Sequence, residues 1–197
     1  MTRLEAALLE VVAILEEWKI PYMLIGGLAV AQWGEPRATL DVDIALWVEA
    51  DQFETMVAKL ASRLAPRTTR PVEFARRTRV LPVESSGGIA VDLIFALWPF
   101  EQRAIKHAAE RQVAGAPVRV AALEYLLFLK LTSDRPKDLD DAAALLRRHQ
   151  NHVDHCWLEE QVSGIAEALG EPEILDRYRR LRGSGEEGAG RRPTLLG

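Results

Sequence analysis

The chain contains a single cysteine, Cys156, among its 197 residues. That excludes an intramolecular disulfide and suits a reducing, cytoplasmic compartment. No apolar run approaches the ~20 residues that a membrane-spanning helix requires. No repeat with a period of ~20–50 residues is visible, which argues against a solenoid. The opening residues MTRLEAALLEVV show helical periodicity with interspersed Glu rather than the layout of a signal peptide. An excess of basic charge is also missing: the formal net charge is −4, so composition does not announce a nucleic-acid-binding protein. His152 and His155 flank Cys156 without a second ligand cluster elsewhere. They read as a polar helix surface beside a small buried thiol rather than as a metal site.

With 48% hydrophobic residues the chain can bury a substantial core, and its length suits one domain with a small appendage. Charge is unevenly distributed. Arg63, Arg67, Arg70, Arg76, Arg77 and Arg79 face only Glu73 in their stretch, and Arg177, Arg179, Arg180, Arg182, Arg191 and Arg192 crowd the C-terminus. A local basic strip can hold a phosphate backbone or a triphosphate on an acidic protein. It can equally be a solubilising surface.

The organising stretch is Tyr22–Trp47, YMLIGGLAVAQWGEPRATLDVDIALW. It predicts an apolar strand (Tyr22–Ile25), a break at Gly26-Gly27, a brief helix (Leu28–Trp33), a turn at Gly34-Glu35-Pro36 and a second apolar strand carrying Asp41 and Asp43. Alternation places Asp41 and Asp43 on one face and Val42 and Ile44 on the other. Adjacent carboxylates repel and are costly unless a cation neutralises them. Mg²⁺ takes one or two protein carboxylates and leaves its other positions to water and substrate phosphates. A Gly-Gly turn lets backbone N–H groups approach a ligand, and a helix starting there adds positive dipole character. Singly, Gly-Gly is usually a turn and Asp-x-Asp a solvated loop. Together, with the carboxylates inside an apolar strand, they point to phosphoryl or nucleotidyl transfer.

Along the rest of the chain, residues 3–18 predict an amphipathic helix, and Ala50–Leu64 predicts another that Pro66 ends. Val72–Ala75 and Thr78–Val83 predict two short strands joined at Arg76-Arg77. Ser85-Ser86-Gly87-Gly88 is a turn leading into Ile89–Phe95, an apolar strand with Asp92 at its centre. Asp92 could complete a three-carboxylate site, or form a buried salt bridge with an arginine. A helix over Phe100–Glu110 follows, then extended pieces on either side of Gly115-Ala116-Pro117. Ala121–Leu131 is strongly apolar around Glu124 and Lys130; Lys130 either snorkels to the surface or reaches toward phosphate. Helices are predicted over about 138–149, 154–169 and 172–181. Asp138, Asp140 and Asp141 open the first of these as ordinary dipole complements. Residues 183–197 form a flexible tail by composition.

These residues resemble the DNA polymerase β-like nucleotidyltransferase superfamily, and within it the minimal and AbiEii-type branch. The shared pattern is Gly26-Gly27 after a strand, Thr39 ahead of Asp41-Val42-Asp43, Asp92 on a later strand, and the run from Lys130 through Arg135-Pro136-Lys137-Asp138-Leu139-Asp140-Asp141. The match covers most of residues 20–146. It implies an α+β fold, with a mixed or antiparallel sheet flanked by helices. A nucleotidyltransferase core would span 1–120, with a C-terminal helical region over 121–182 and the tail over 183–197. It further implies an NTP substrate and two Mg²⁺ ions held by Asp41, Asp43 and Asp92, with Asp92 activating the acceptor hydroxyl. Gly26, Gly27 and Thr39 would contact phosphates, and Lys130 would neutralise triphosphate charge. Asp138 or Asp141 would orient Lys130 or the base. Some minimal members place an arginine soon after the glycines where this chain has Leu28-Ala29-Val30; Arg37 is the candidate substitute.

The expected activity is transfer of an NMP to a hydroxyl of RNA, tRNA in particular, or of a protein, in a toxin–antitoxin setting with an antitoxin partner and no membrane. Two alternatives remain open at this level. One is an enzyme on the same core that modifies a small antibiotic-type molecule. The other is a non-catalytic nucleotide-binding or interaction protein of this fold, which Asp92 turned away or paired with an arginine would favour. The acceptor and the preferred base are not written in any motif.

Overall fold

The computed structural model describes residues 1–34 and 38–189. Arg37, expected at the site, lies outside the described residues, as do residues 190–197 of the expected tail. The chain divides into two compact units, Met1–Ala122 and Leu123–Gly197.

The first unit is built on one seven-stranded sheet. In chain order its elements are α1 (Arg3–Glu17), β1 (Tyr22–Ile25), α2 (Gly26–Gln32), β2 (Asp41–Leu46), a 3-10 turn (Ala50–Gln52), α3 (Phe53–Arg63), β3 (Ala65–Pro66), α4 (Pro71–Thr78), β4 (Val80–Glu84), β5 (Ala90–Phe95), α5 (Pro99–Lys106), β6 (Ala109–Val113) and β7 (Ala116–Val120). The strand order is β3-β4-β5-β2-β1-β7-β6. β2 runs parallel to β5 and β1 parallel to β7, and the other neighbours are antiparallel. The mixed sheet with flanking helices is therefore as the sequence predicts.

Alternation sorts the two faces of the central strands. Val42, Ile44, Leu81, Val83, Val91 and Leu93 are fully buried, while Asp41, Asp43, Pro82 and Asp92 occupy the opposite, more open face. α1 lies against β2 and buries Leu8, Val11 and Leu15. Its start is a capping box in which the Glu5 N–H donates to Thr2 Oγ1 at 3.1 Å and the Thr2 N–H donates to Glu5 Oε2 at 2.6 Å.

Three segments differ from expectation. Val72–Ala75 is not a strand; Pro71–Thr78 is a helix with Pro at its first turn, Glu73 near its start and Arg76 and Arg77 at its end. That charge order complements the helix dipole. The chain turns at Arg79, in the left-handed region at φ 65°, and not at Arg76-Arg77. The helix expected to reach Glu110 ends at Lys106, and Ala109–Val113 pairs with Ala116–Val120 as a hairpin. Its two-residue loop, Ala114-Gly115, has φ of 50° and 85°, the doubly positive pattern that matches strand twist.

The second unit is helical: α6 (Leu123–Leu131), α7 (Pro136–His149), α8 (His155–Leu169) and α9 (Glu173–Ala189). α9 extends past Leu181, where the sequence predicts an end. Almost every side chain of α6 is buried, including Lys130, as expected of a helix that is apolar all round. Arg177 caps it by donating to the carbonyls of Leu131 and Ser133, both at 2.9 Å. Asp154 caps α8 by accepting the Trp157 N–H at 3.0 Å. The His155 ring is held at both nitrogens, Nδ1 lying 2.8 Å from the Tyr178 hydroxyl and Nε2 3.0 Å from the Gln150 carbonyl. Cys156 is exposed, contrary to the buried thiol expected, because it lies on the outer side of α8. His155 is thus a packing residue rather than a ligand.

Candidate active site

Parallel pairing of β2 and β5 sets Asp43 directly beside Asp92, and Asp41 beside Ala90. Register partners share a face and adjacent strands lie about 4.8 Å apart. Asp43 and Asp92 therefore stand side by side, with Asp41 on the same face two residues back. The three predicted carboxylates come together, and Asp92 does not turn away.

On the other side of β2, β1 pairs antiparallel and places Ile25 opposite Asp43. Gly26 follows at φ +66°, and a Cβ there would lie 1.9 Å from Asp43 Oδ2. The glycine is required twice over: by a backbone conformation that side chains disfavour, and by the carboxylate filling the space a side chain would take. Gly27 is buried in the first turn of α2. Thr39 donates its hydroxyl to Asp41 Oδ1 at 2.8 Å, so in this structure it orients a carboxylate.

Asp92 is half-buried. Burial pushes its carboxyl above the usual 3.8, Arg67's charge opposes that rise and the charge of Asp41 adds to it. Burial prevails, so the group is a stronger base than an ordinary aspartate. Among the described residues no arginine forms an ion pair with Asp92. The structural alternative of a buried salt bridge is therefore not the arrangement found.

The donor set fits a hard divalent cation, which prefers carboxylate oxygen. Among the described residues no three such groups form a ready-made cage. An open face of carboxylates is nonetheless what Mg²⁺ uses when substrate phosphates and water complete its shell.

In the second unit, Lys130 is 5% exposed and makes ion pairs with Asp138 and, at 3.1 Å, with Asp141. It does not snorkel. Asp138, itself 1% exposed, also accepts the Ser133 hydroxyl at 2.7 Å and the Arg135 Nε–H at 2.6 Å. Burial raises its pKa, but the Lys130 and Ser133 hydrogen bonds and the Lys130 and Arg135 charges hold it below 3.8. Both oxygens of Asp138 are thus engaged within the unit, and its first task is to hold Lys130.

Four of the six arginines of the basic strip have carboxylate partners. Arg63 pairs with Glu17, Arg70 with Glu73, Arg76 with Glu54 and Arg79 with Glu101. Sequence reasoning treated the six arginines alike and missed the individual position of Arg67, whose only signal was its place just after the helix-ending Pro66.

No helix among the described residues is long and apolar enough to cross a membrane. No curated protein matches the sequence at a significant level. Among solved structures, an antigenic nucleotidyltransferase-like protein from Paracoccidioides brasiliensis is 17% identical with a TM-score of 0.53, over 89% of this chain and 94% of that one. The antibiotic-resistance factor ANT(2'')-Ia, in solution, is 16% identical with a TM-score of 0.53, over 88% and 97%. Its crystal structure in complex with adenylyl-2''-tobramycin gives 16% identity and 0.51, over 96% and 100%. At such identities the likeness is one of fold. The model of the family described as "Nucleotidyl transferase AbiEii toxin, Type IV TA system" matches residues 7–166. With most of its length matched, and with the strand–glycine–carboxylate arrangement in place, the chain belongs to the AbiEii nucleotidyl transferase toxin family.

Proposed function

We propose that this protein uses Mg²⁺ to transfer a nucleoside monophosphate from an NTP to a hydroxyl of a macromolecule, with RNA such as tRNA ahead of protein, as the toxin of a toxin–antitoxin pair. The observation that carries the reading is the in-register pair Asp43–Asp92 with Asp41 on the same face, closed on one side by Gly26, where a Cβ would meet the Asp43 carboxylate.

Asp41, Asp43 and Asp92 would hold the metal ions, which when bound would offset phosphate charge and assist the departure of pyrophosphate. The chain's own residues supply the rest. Gly26 makes room for the Asp43 carboxylate, the backbone of Gly26 and Gly27 would contact the phosphates, and Thr39 keeps Asp41 aimed by its hydrogen bond. Asp92 takes the proton of the acceptor hydroxyl as that oxygen bonds to the α-phosphorus and the bond to pyrophosphate breaks. Burial, which raises its pKa, suits it to that task. Lys130, expected to neutralise triphosphate charge, is instead buried and paired with Asp138 and Asp141 within its own unit. Arg37 would supply positive charge to the triphosphate.

The test is incubation with each labelled NTP, Mg²⁺, total RNA and cell protein, with the Asp41→Asn/Asp43→Asn variant alongside. Label on RNA with the wild type only is the expected result. Label confined to protein would move the acceptor, and binding of NTP without transfer would favour a small-molecule acceptor. Absence of both binding and transfer would overturn the reading.

A further inference from the structure

A row of side chains crosses the sheet through the carboxylates, and its two ends differ. Ile25 pairs with Asp43, Asp43 with Asp92, and Asp92 with Pro82. The row continues to β3: Ala65 pairs with Glu84 and Pro66 with Val83, and the next residue, Arg67, donates its N–H to the Pro82 carbonyl at 2.8 Å. Cross-strand partners share a face, so Arg67, Pro82, Asp92 and Asp43 lie on one side of the sheet. At one end stands the glycine turn, and at the other stands a guanidinium.

Pro82 shapes the Arg67 end. Its carbonyl faces β3, and in an antiparallel pair the N–H of the same residue would face that way too. Proline has none, which suits a position next to a short edge strand. Pro82 stands between Arg67 and Asp92 in the row, and the Arg67 guanidinium charge is felt at Asp92. Arg67 is exposed. Among the described residues no carboxylate lies within ion-pair distance of it, whereas Arg63, Arg70, Arg76 and Arg79 each have one.

Resting on the function proposed above, we infer that Arg67 is a specificity residue that binds a backbone phosphate of an RNA acceptor next to the attacking hydroxyl. The NTP phosphates belong with the glycines, at the far end of the row. The group that approaches Asp92 from the other side is the acceptor, and there the sheet offers a planar double donor suited to phosphate. A neutral small-molecule acceptor would find no use for it.

The experiment measures binding and transfer separately, using bulk tRNA as the probe on the full chain. Binding is followed by anisotropy of labelled tRNA across a salt series. Arg67→Ala should weaken tRNA binding by about tenfold and reduce the slope of log affinity against log salt by about one, as for loss of a single phosphate contact. NTP affinity should stay within about twofold, and Arg67→Lys should recover part of the loss. Arg77→Ala, an exposed arginine of the same stretch, should leave binding and slope unchanged. Unchanged tRNA binding in Arg67→Ala would overturn the inference. So would an equal loss of NTP affinity, which would make Arg67 a triphosphate ligand. Transfer to tRNA by the wild type together with unimpaired binding by Arg67→Ala would sink this inference alone. Arg67-dependent tRNA binding without any transfer would sink the proposed activity alone.

Discussion

Individual residues at the carboxylate face differ in how the proposed chemistry bears on stability. Gly26 has both a left-handed backbone and a carboxylate where its Cβ would be. Gly26→Ala must therefore push Asp43 aside and strain the turn. Transfer should fall by at least ~100-fold, the scale on which a misplaced catalytic group acts, with stability reduced by about 1–2 kcal/mol. Kinetics and thermal melting would check both, and near-normal transfer by a folded variant would refute the crowding argument. Asp92 works in the opposite direction. Its folded pKa is raised, so the fold favours the protonated form, and the charged form costs stability at neutral pH. That cost appears as pH rises through the folded pKa and is absent below the unfolded value. Asp92→Asn should abolish transfer yet melt at or above the wild-type temperature at pH 7, with the gain shrinking as pH is lowered toward 4. A variant that melts well below wild type would show that Asp92 is structural.

At the scale of elements, much of the first unit was legible because its signals are local. The glycine pair, the alternating strands around Asp41, Asp43 and Asp92, and the amphipathic α1 and α3 all declare themselves in short windows. α4 did not, because Val72 and Phe74 suggested alternation, although Pro71, Glu73 and the terminal arginines carried the helix signal. The register that seats Asp43 beside Asp92 was not readable, since it depends on a parallel crossover from β2 to β5 that no short window specifies. Arg67 was hidden among five similar neighbours until the sheet sorted them. The Arg79 latch was equally hidden. Its guanidinium donates to the Phe95 carbonyl at 2.9 Å and to both oxygens of Glu101, and Glu101 in turn accepts the N–H groups of Leu97 and Trp98. This one carboxylate fastens the ends of α4, β5 and α5. Glu101→Ala should cost about 2–3 kcal/mol, in line with charge-assisted hydrogen bonds at a half-buried site, read as a shift in denaturation midpoint. A loss under 0.5 kcal/mol would show the latch to be an ordinary surface pair.

For the molecule as a whole, the predicted catalytic groups fall in two units, with the carboxylates in the first and Lys130 in the second. Lys130 and Asp138 are both almost fully buried, so removing Asp138 leaves the Lys130 charge to Asp141 alone. Asp138→Asn should destabilise by about 3–5 kcal/mol at neutral pH. Because the folded pKa of Asp138 is held below its usual value, its contribution is present above the unfolded pKa of 3.8 and disappears as pH falls through the folded one. The gap between variant and wild type should therefore close in strong acid. Ligand linkage supplies a complementary test that requires no acceptor. A ligand that binds only the folded chain raises stability by RT ln(1 + [L]/Kd), about 2.7 kcal/mol at one hundred times Kd. For a protein of this size that amounts to a rise in melting temperature of roughly 5–10 °C. Mg²⁺ with a saturating NTP should produce this rise in the wild type. Chelation with EDTA should remove most of it, and Asp41→Asn/Asp43→Asn should not show it. If the double variant were stabilised as fully as the wild type, the nucleotide would be held elsewhere, and the carboxylate face would lose its claim to be the active site.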